Sequence, residues 1–158
     1  MSEKFNFKEV SAEEFGRSLR GFGINLLVKE TARTIAFLER VFGFEAVRQS
    51  ADYAIMRLPE LHATSVKLAP ALVQLHADHT YSANPLPSLL PENGARGGGA
   101  ELRLYDIDPD MAEEKAQENG YMVLQPSSDK PHGLRECFIL DPDGYCWVPS
   151  RPLTETIE

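Results

Sequence analysis

Four polar side chains stand at alternate positions in two short apolar runs. Gln74 and His76 lie in Leu72-Val73-Gln74-Leu75-His76, and Glu101 and Arg103 in Gly99-Ala100-Glu101-Leu102-Arg103-Leu104. In a strand such alternation puts the polar set on one face and the apolar set on the other. Asn25 occupies the same kind of place in Gly23-Ile24-Asn25-Leu26-Leu27-Val28, and Arg135 opens the run Arg135 to Leu140. Asn25, Gln74, His76, Glu101, Arg103 and Arg135 are therefore the candidate ligand-binding residues. His76 titrates near neutrality, and with Glu101 it could form an acid–base pair for an isomerase or lyase. The two arginines could clamp a carboxylate or phosphate bidentately, or pair structurally with Glu101.

The other histidines offer less. His79 follows in His76-Ala77-Asp78-His79, but adjacent residues at a strand end diverge, whereas a closed metal site needs converging donors. His132 falls on a loop at the rim, and His62 reads as surface. There is no phosphate-binding loop and no Gly-x-Ser-x-Gly elbow, and Gly97-Gly98-Gly99 lacks the preceding strand that a dinucleotide site needs.

The elements that carry these residues are written twice. In the first copy the strand Ile24, Leu26, Val28 precedes a helical run from Thr31 that Gly43 ends. In the second, Ala100, Leu102, Leu104 precede a run from Asp108-Pro109 that Gly120 ends. Thr31 and Asp108 suit the N-cap, Pro109 the first helical position, and the two glycines the left-handed position after a helix. Three strands follow each helix: Glu45 to Gln49, Tyr53 to Leu58 and Leu72 to His76, then Tyr121 to Gln125, Arg135 to Leu140 and Tyr145 to Pro149. The period is about 76 residues, longer than a solenoid repeat, which marks a duplicated module.

The expected class is α+β: two βαβββ modules in tandem, forming curved mixed sheets around a cleft, after a short N-terminal helix. Residues 1–20 form the extension, in which Ser11-Ala12-Glu13-Glu14 has the capping-box form. Residues 21–152 form one domain, with modules 21–77 and 98–152 and a Pro/Gly-rich linker 78–97. Asp141-Pro142-Asp143-Gly144 is taken as the loop of the last hairpin. That sets Leu140 opposite Tyr145 and Cys137 opposite Val148, with Arg135, Cys137, Cys146 and Val148 on the cleft side.

Composition bounds the function. The 158 residues hold 42% hydrophobic and 25% charged residues, the balance of one folded domain. A net charge of −8 disfavours nucleic acid and anionic lipid as partners. No run reaches the ~18 apolar residues of a membrane span, and Met1-Ser2-Glu3-Lys4-Phe5 has no apolar signal-like stretch, so a cytoplasmic location is expected. Cys137 and Cys146 read as small buried side chains and not as a disulfide.

The duplicated order, with Phe37-Leu38-Glu39-Arg40-Val41-Phe42-Gly43-Phe44 in the first helix and Asp141-Pro142-Asp143-Gly144-Tyr145 before the last strand, resembles the vicinal-oxygen-chelate superfamily. That group comprises glyoxalase I, bleomycin-resistance proteins, extradiol dioxygenases and fosfomycin-resistance enzymes. The resemblance implies a cleft built within one chain or across a homodimer. It also implies metal ligands on the opening and closing strand of each module. In this sequence those positions fall on Gly23, Gln74, Gly99 or Ala100, and about Val148. Of these only Gln74 carries a donor, and one amide cannot hold a divalent cation. No metal and no cofactor is expected. The leading expectation is a metal-free small-molecule-binding protein. The alternative is a glyoxalase- or dioxygenase-like lyase, isomerase or oxidoreductase using His76 and Glu101 or a non-standard metal set. A third reading is a ligand-free dimer in which Phe5, Phe7 and Phe15 pack on a partner.

Overall fold

The computed structural model describes residues 10–59, 72–80 and 83–153. Helix α1 (Ala12–Ser18) starts at a complete capping box: the Ser11 hydroxyl accepts from the Glu14 amide, and the Glu14 carboxylate accepts from the Ser11 amide. The first module is β1 (Ile24–Val28), α2 (Thr31–Phe42), β2 (Glu45–Gln49), β3 (Tyr53–Arg57) and β4 (Leu72–Ala77). The second is β5 (Glu101–Tyr105), α3 (Pro109–Glu118), β6 (Met122–Asp129), β7 (Leu134–Leu140) and β8 (Cys146–Pro152). The tandem βαβββ frame and the N-terminal helix are therefore as expected.

Each module closes into a four-stranded mixed sheet, ordered β1-β4-β3-β2 in one and β5-β8-β7-β6 in the other. In both, the opening strand lies parallel to the closing strand and the remaining pairs are antiparallel. A helical crossover is what allows the parallel pair. Gly43 ends α2 in the left-handed region at φ 74°, where its amide caps the Glu39 and Leu38 carbonyls. Asp108 caps α3 through its side chain, as expected. Thr31 does not cap α2; Glu30 is the N-cap, and the buried Thr31 hydroxyl donates to the Ser50 and Ala51 carbonyls instead.

One core joins the modules. Leu26, Val28, Met56 and Leu75 from the first sheet pack with Phe37, Leu38 and Val41 of α2, and with Leu104, Cys137, Ile139 and Trp147 from the second. The Phe37 ring meets Tyr121 edge-on at 4.8 Å, and Phe42 and Phe44 lie 6.0 and 5.9 Å from Trp147. Offset and edge-on rings of this kind add about 0.5–1.5 kcal/mol per pair beyond the area they bury. The helix-facing sides of both sheets are thus consumed, and function falls to the opposite sides.

The linker is mostly a clasp. Arg96 and Gly97 amides donate to the Asp143 and Gly144 carbonyls at 3.0 and 3.4 Å. The chains approach so closely that a Cβ on Gly97 would lie 2.8 Å from the Tyr145 Cα. The Arg96 guanidinium, 6% exposed, forks onto Asp78 and also donates to the Leu27 carbonyl. Tyr145 donates to that same carbonyl from the second module.

The last hairpin departs from expectation by one residue. Leu140 pairs with Cys146, and Ile139 with Trp147, because Tyr145 belongs to the loop. The Asp141 carboxylate accepts from the Asp143 and Tyr145 amides and from the Trp147 indole, which draws Tyr145 in. The slip moves Arg135 and Cys137 to the helix-facing side and brings Glu136, Phe138 and Leu140 to the open side. Cys137 and Cys146 are free thiols on opposite sides of the sheet.

Candidate functional site

On the open side of the second sheet, β5 contributes Glu101, Arg103 and Tyr105, and β8 sets Cys146, Val148 and Ser150 beside them. β7 adds Glu136 and Phe138. Arg103 is the hub. It donates to the Glu101 carboxylate at 2.8 Å and to Glu136 through a second, short hydrogen bond, and its guanidinium lies 5.8 Å from the Tyr105 ring centre. Glu136 is 3% exposed, and His132 approaches it at 3.5 Å. Burial pushes the Glu136 carboxyl upward, but the hydrogen bond and charge of Arg103, helped by His132, hold it below the ordinary range. Desolvation opposes the Arg103 charge, and its two carboxylate partners overcome that and raise its pKa.

Two hydroxyls beside this triad are unspent. Ser128 and Ser150 each pair with Glu136 in register, and their Oγ atoms are buried without a hydrogen-bond partner among the described residues. Tyr105, 65% exposed, presents an aromatic surface at the edge of the same face. The arrangement offers a fixed cation, the exposed Glu101 carboxylate and an exposed ring, with the two hydroxyls buried beneath them.

The open side of the first sheet is partly covered by the chain itself. Phe15 of α1, 5% exposed, packs on Val47 and Ile55, with Val10, Tyr53 and Leu72 around it. Arg48 donates to the Val10 carbonyl at 3.1 Å and ties the extension down. Phe15 is thus accounted for within its own chain; Phe5 and Phe7 lie outside the described residues. Beside this plug, Tyr53 donates to Gln74 Oε1 at 3.0 Å and its ring sits 4.6 Å from His76. Burial lowers the His76 pKa and favours the neutral imidazole.

The six candidate residues divide accordingly. Asn25, Gln74 and His76 come together on the first sheet, in register as Asn25 with Gln74 and Leu27 with His76. Glu101 and Arg103 are in contact on the second. Arg135 does not join them: it lies on the other side of β7 and forks onto Asp110 of α3, with Asp129 as a further partner. His79 bonds Asp52 at 2.8 Å. His62 lies outside the described residues. Sequence reasoning missed Glu136, Ser128 and Ser150, and only the hairpin register could have placed them.

A family model for the Glyoxalase/Bleomycin resistance protein/Dioxygenase superfamily matches residues 23–148. The chain belongs to that superfamily. Solved structures share the fold at low identity. A glyoxalase-related enzyme from Fulvimarina pelagi has a TM-score of 0.62 and 16% identity, covering 84% of this chain and 88% of its own. TioX from Micromonospora sp. ML1 has a TM-score of 0.56 and 19% identity over 87% and 99%. A glyoxalase/bleomycin resistance protein/dioxygenase family enzyme from Burkholderia phytofirmans PsJN has a TM-score of 0.61 and 16% identity over 82% and 96%. No curated protein matches the sequence. No described helix is long and apolar enough to cross a membrane.

The superfamily's metal positions can be placed against this frame. Gly23 stands seven residues before the N-cap Glu30, and Glu101 stands seven before the N-cap Asp108. The second opening-strand position is therefore Glu101 and not Gly99 or Ala100. Glu101 is engaged by Arg103, Gln74 by Tyr53, and Gly23 and Val148 bring no donor. A guanidinium 2.8 Å from the one carboxylate among these four positions repels a cation, so these residues do not fit a divalent metal. Among the described residues no three His, Cys, Asp or Glu side chains converge.

Proposed function

We propose that the protein binds a small organic molecule without a metal, on the open side of the second sheet. The observation that supports this most is Arg103, which ties up Glu101, the residue at the opening-strand metal position, and Glu136 beside it. A ligand bearing a hydroxyl or amine beside an aromatic or apolar body suits this face: the Glu101 carboxylate and the exposed edge of Arg103 supply hydrogen bonds and Tyr105 a stacking surface. Phe15 covers the Val47 and Ile55 part of the first sheet's face, and a single binding face per chain is part of the reading. So is a homodimer closing over the exposed Tyr105, which sedimentation would detect. The enzyme reading, in which His76 and Glu101 act together, requires the two sheet faces to meet, because the two residues belong to different sheets.

Dialysis of the purified protein against a mixture of Zn, Ni, Mn and Fe, followed by metal analysis and a thermal-shift screen of mixed metabolites, tests the proposal. Expected are no stoichiometric metal and at least one stabilising compound whose effect Arg103→Ala abolishes. A ligand at 100 times its dissociation constant adds about 2.7 kcal/mol. Retained stoichiometric metal would overturn the reading.

A further inference from the structure

A further concavity lies away from the sheet faces, where α2 crosses onto the second module. A groove of about 520 Å³ runs between Ala32, Ala36 and the Tyr121–Met122 segment, with Leu140, Asp141 and Pro142 along its far side. Its size is within the ~300–1,000 Å³ of small-molecule sites. Arg33 and Arg40 also line it, two helical turns apart on one face of α2. Both are exposed, and neither side chain makes an ion pair or hydrogen bond among the described residues. Most other arginines of the fold are paired: Arg17, Arg57, Arg96, Arg103, Arg135 and Arg151 each hold a carboxylate. Asp141, the one acid lining the groove, is turned inward, its oxygens taken by two amides and the Trp147 indole.

We propose that this groove binds an amphipathic organic anion, a flat apolar body lying on Ala32, Ala36 and Tyr121 with its carboxylate between Arg33 and Arg40. A small-residue floor admits a ring close to the helix backbone. Unpaired guanidiniums supply the planar, bidentate donors that a carboxylate matches. On a chain of net charge −8 such a cationic lining gives the groove its selectivity over the surrounding surface.

Naphthalene-2-carboxylate and its neutral analogue naphthalene-2-methanol, titrated into isotopically labelled protein and followed by amide chemical shifts, test this. Expected are saturable shifts confined to α2, Gly120–Met122 and Leu140–Pro142. The alcohol should bind at least tenfold more weakly, and the R33Q/R40Q double variant should lose the same factor for the carboxylate only. Ala36→Leu, a good helix former that fills the floor, should weaken both probes. Shifts confined to Glu101–Tyr105, equal affinities for the two probes, or a double variant that binds as the parent does would each overturn the proposal. Arg103→Ala, which tests the sheet face, leaves these titrations unchanged if the two sites are distinct.

Discussion

The Arg96 guanidinium chelates the Asp78 carboxylate with two hydrogen bonds of 2.8 and 2.7 Å, locking the end of the inter-module segment to the residue that follows β4. Asp143, 2% exposed on its side chain, adds a second negative charge at 3.8 Å. The pair does more than close a loop, since the same guanidinium reaches the Leu27 carbonyl and so joins both modules.

Arg96→Ala leaves the buried Asp143 without its arginine, with the Lys29 amide as a remaining donor. Removing one partner of a buried pair costs ~3–5 kcal/mol, and the partial exposure of Asp78 brings the expected loss to about 2–3 kcal/mol. Urea denaturation followed by Trp147 fluorescence measures it. Asp78→Asn should cost less, because Asp143 still faces the arginine.

Phe15→Ala should loosen α1 from the first sheet. Phe→Ala in a full core costs ~3–5 kcal/mol, and this smaller cluster should give about 2 kcal/mol. Limited trypsinolysis supplies an independent readout: cleavage after Arg17 and Arg20 should accelerate relative to cleavage within the described residues 24–59 and 83–153. Unchanged cleavage would mean that α1 is not held by Phe15.

Arg103→Ala alone strips the cation from a nearly buried Glu136, so a stability loss of about 2–3 kcal/mol is expected. The R103A/E136Q double variant, which neutralises the orphaned carboxylate, should recover most of it. If Arg103 holds the ligand, affinity is lost in both proteins, which separates the binding role from the structural one in the thermal-shift screen.

Asp141 gives a pH signature of unusual sign. Burial pushes its carboxyl up to about 6 although three N–H groups donate to it. The folded chain therefore binds a proton more tightly than the unfolded chain, whose Asp titrates near ~3.9. The favourable contribution is complete below about pH 4 and is lost as pH rises through about 6, a change of ~3 kcal/mol. Asp110 and Glu136, held below their ordinary values, act oppositely: their contribution is present above the unfolded pKa and is lost as pH falls through the folded one. The stability of Asp141→Asn minus that of the parent, measured by urea denaturation, should thus rise between pH 4 and 6 and level off above it. A flat difference would refute the assignment.

Strand alternation and helix stops were legible because they depend on neighbours in sequence. Ile24, Leu26 and Val28 could face only a core, Gly43 suits only a left-handed cap, and the Ser11 capping box closes within four residues. Gln74 with His76, and Glu101 with Arg103, shared a face for the same reason. The polar partners were less accessible: Arg135 could serve a ligand or Asp110 equally well until α3 was docked against β7.

What the chain determined alone was the duplicated frame and the polarity of each strand face, since period-two and period-3.6 patterns are local properties. Tertiary structure decided the rest. The hydrogen bonds of Asp141 drew Tyr145 into the last loop and shifted a whole strand face by one residue. Docking of α1 covered the Val47 and Ile55 part of the first sheet's face and left Asn25 exposed at its edge. Both outcomes turn on contacts between segments far apart in sequence, where small differences in packing and desolvation select among partners that local pattern leaves equivalent.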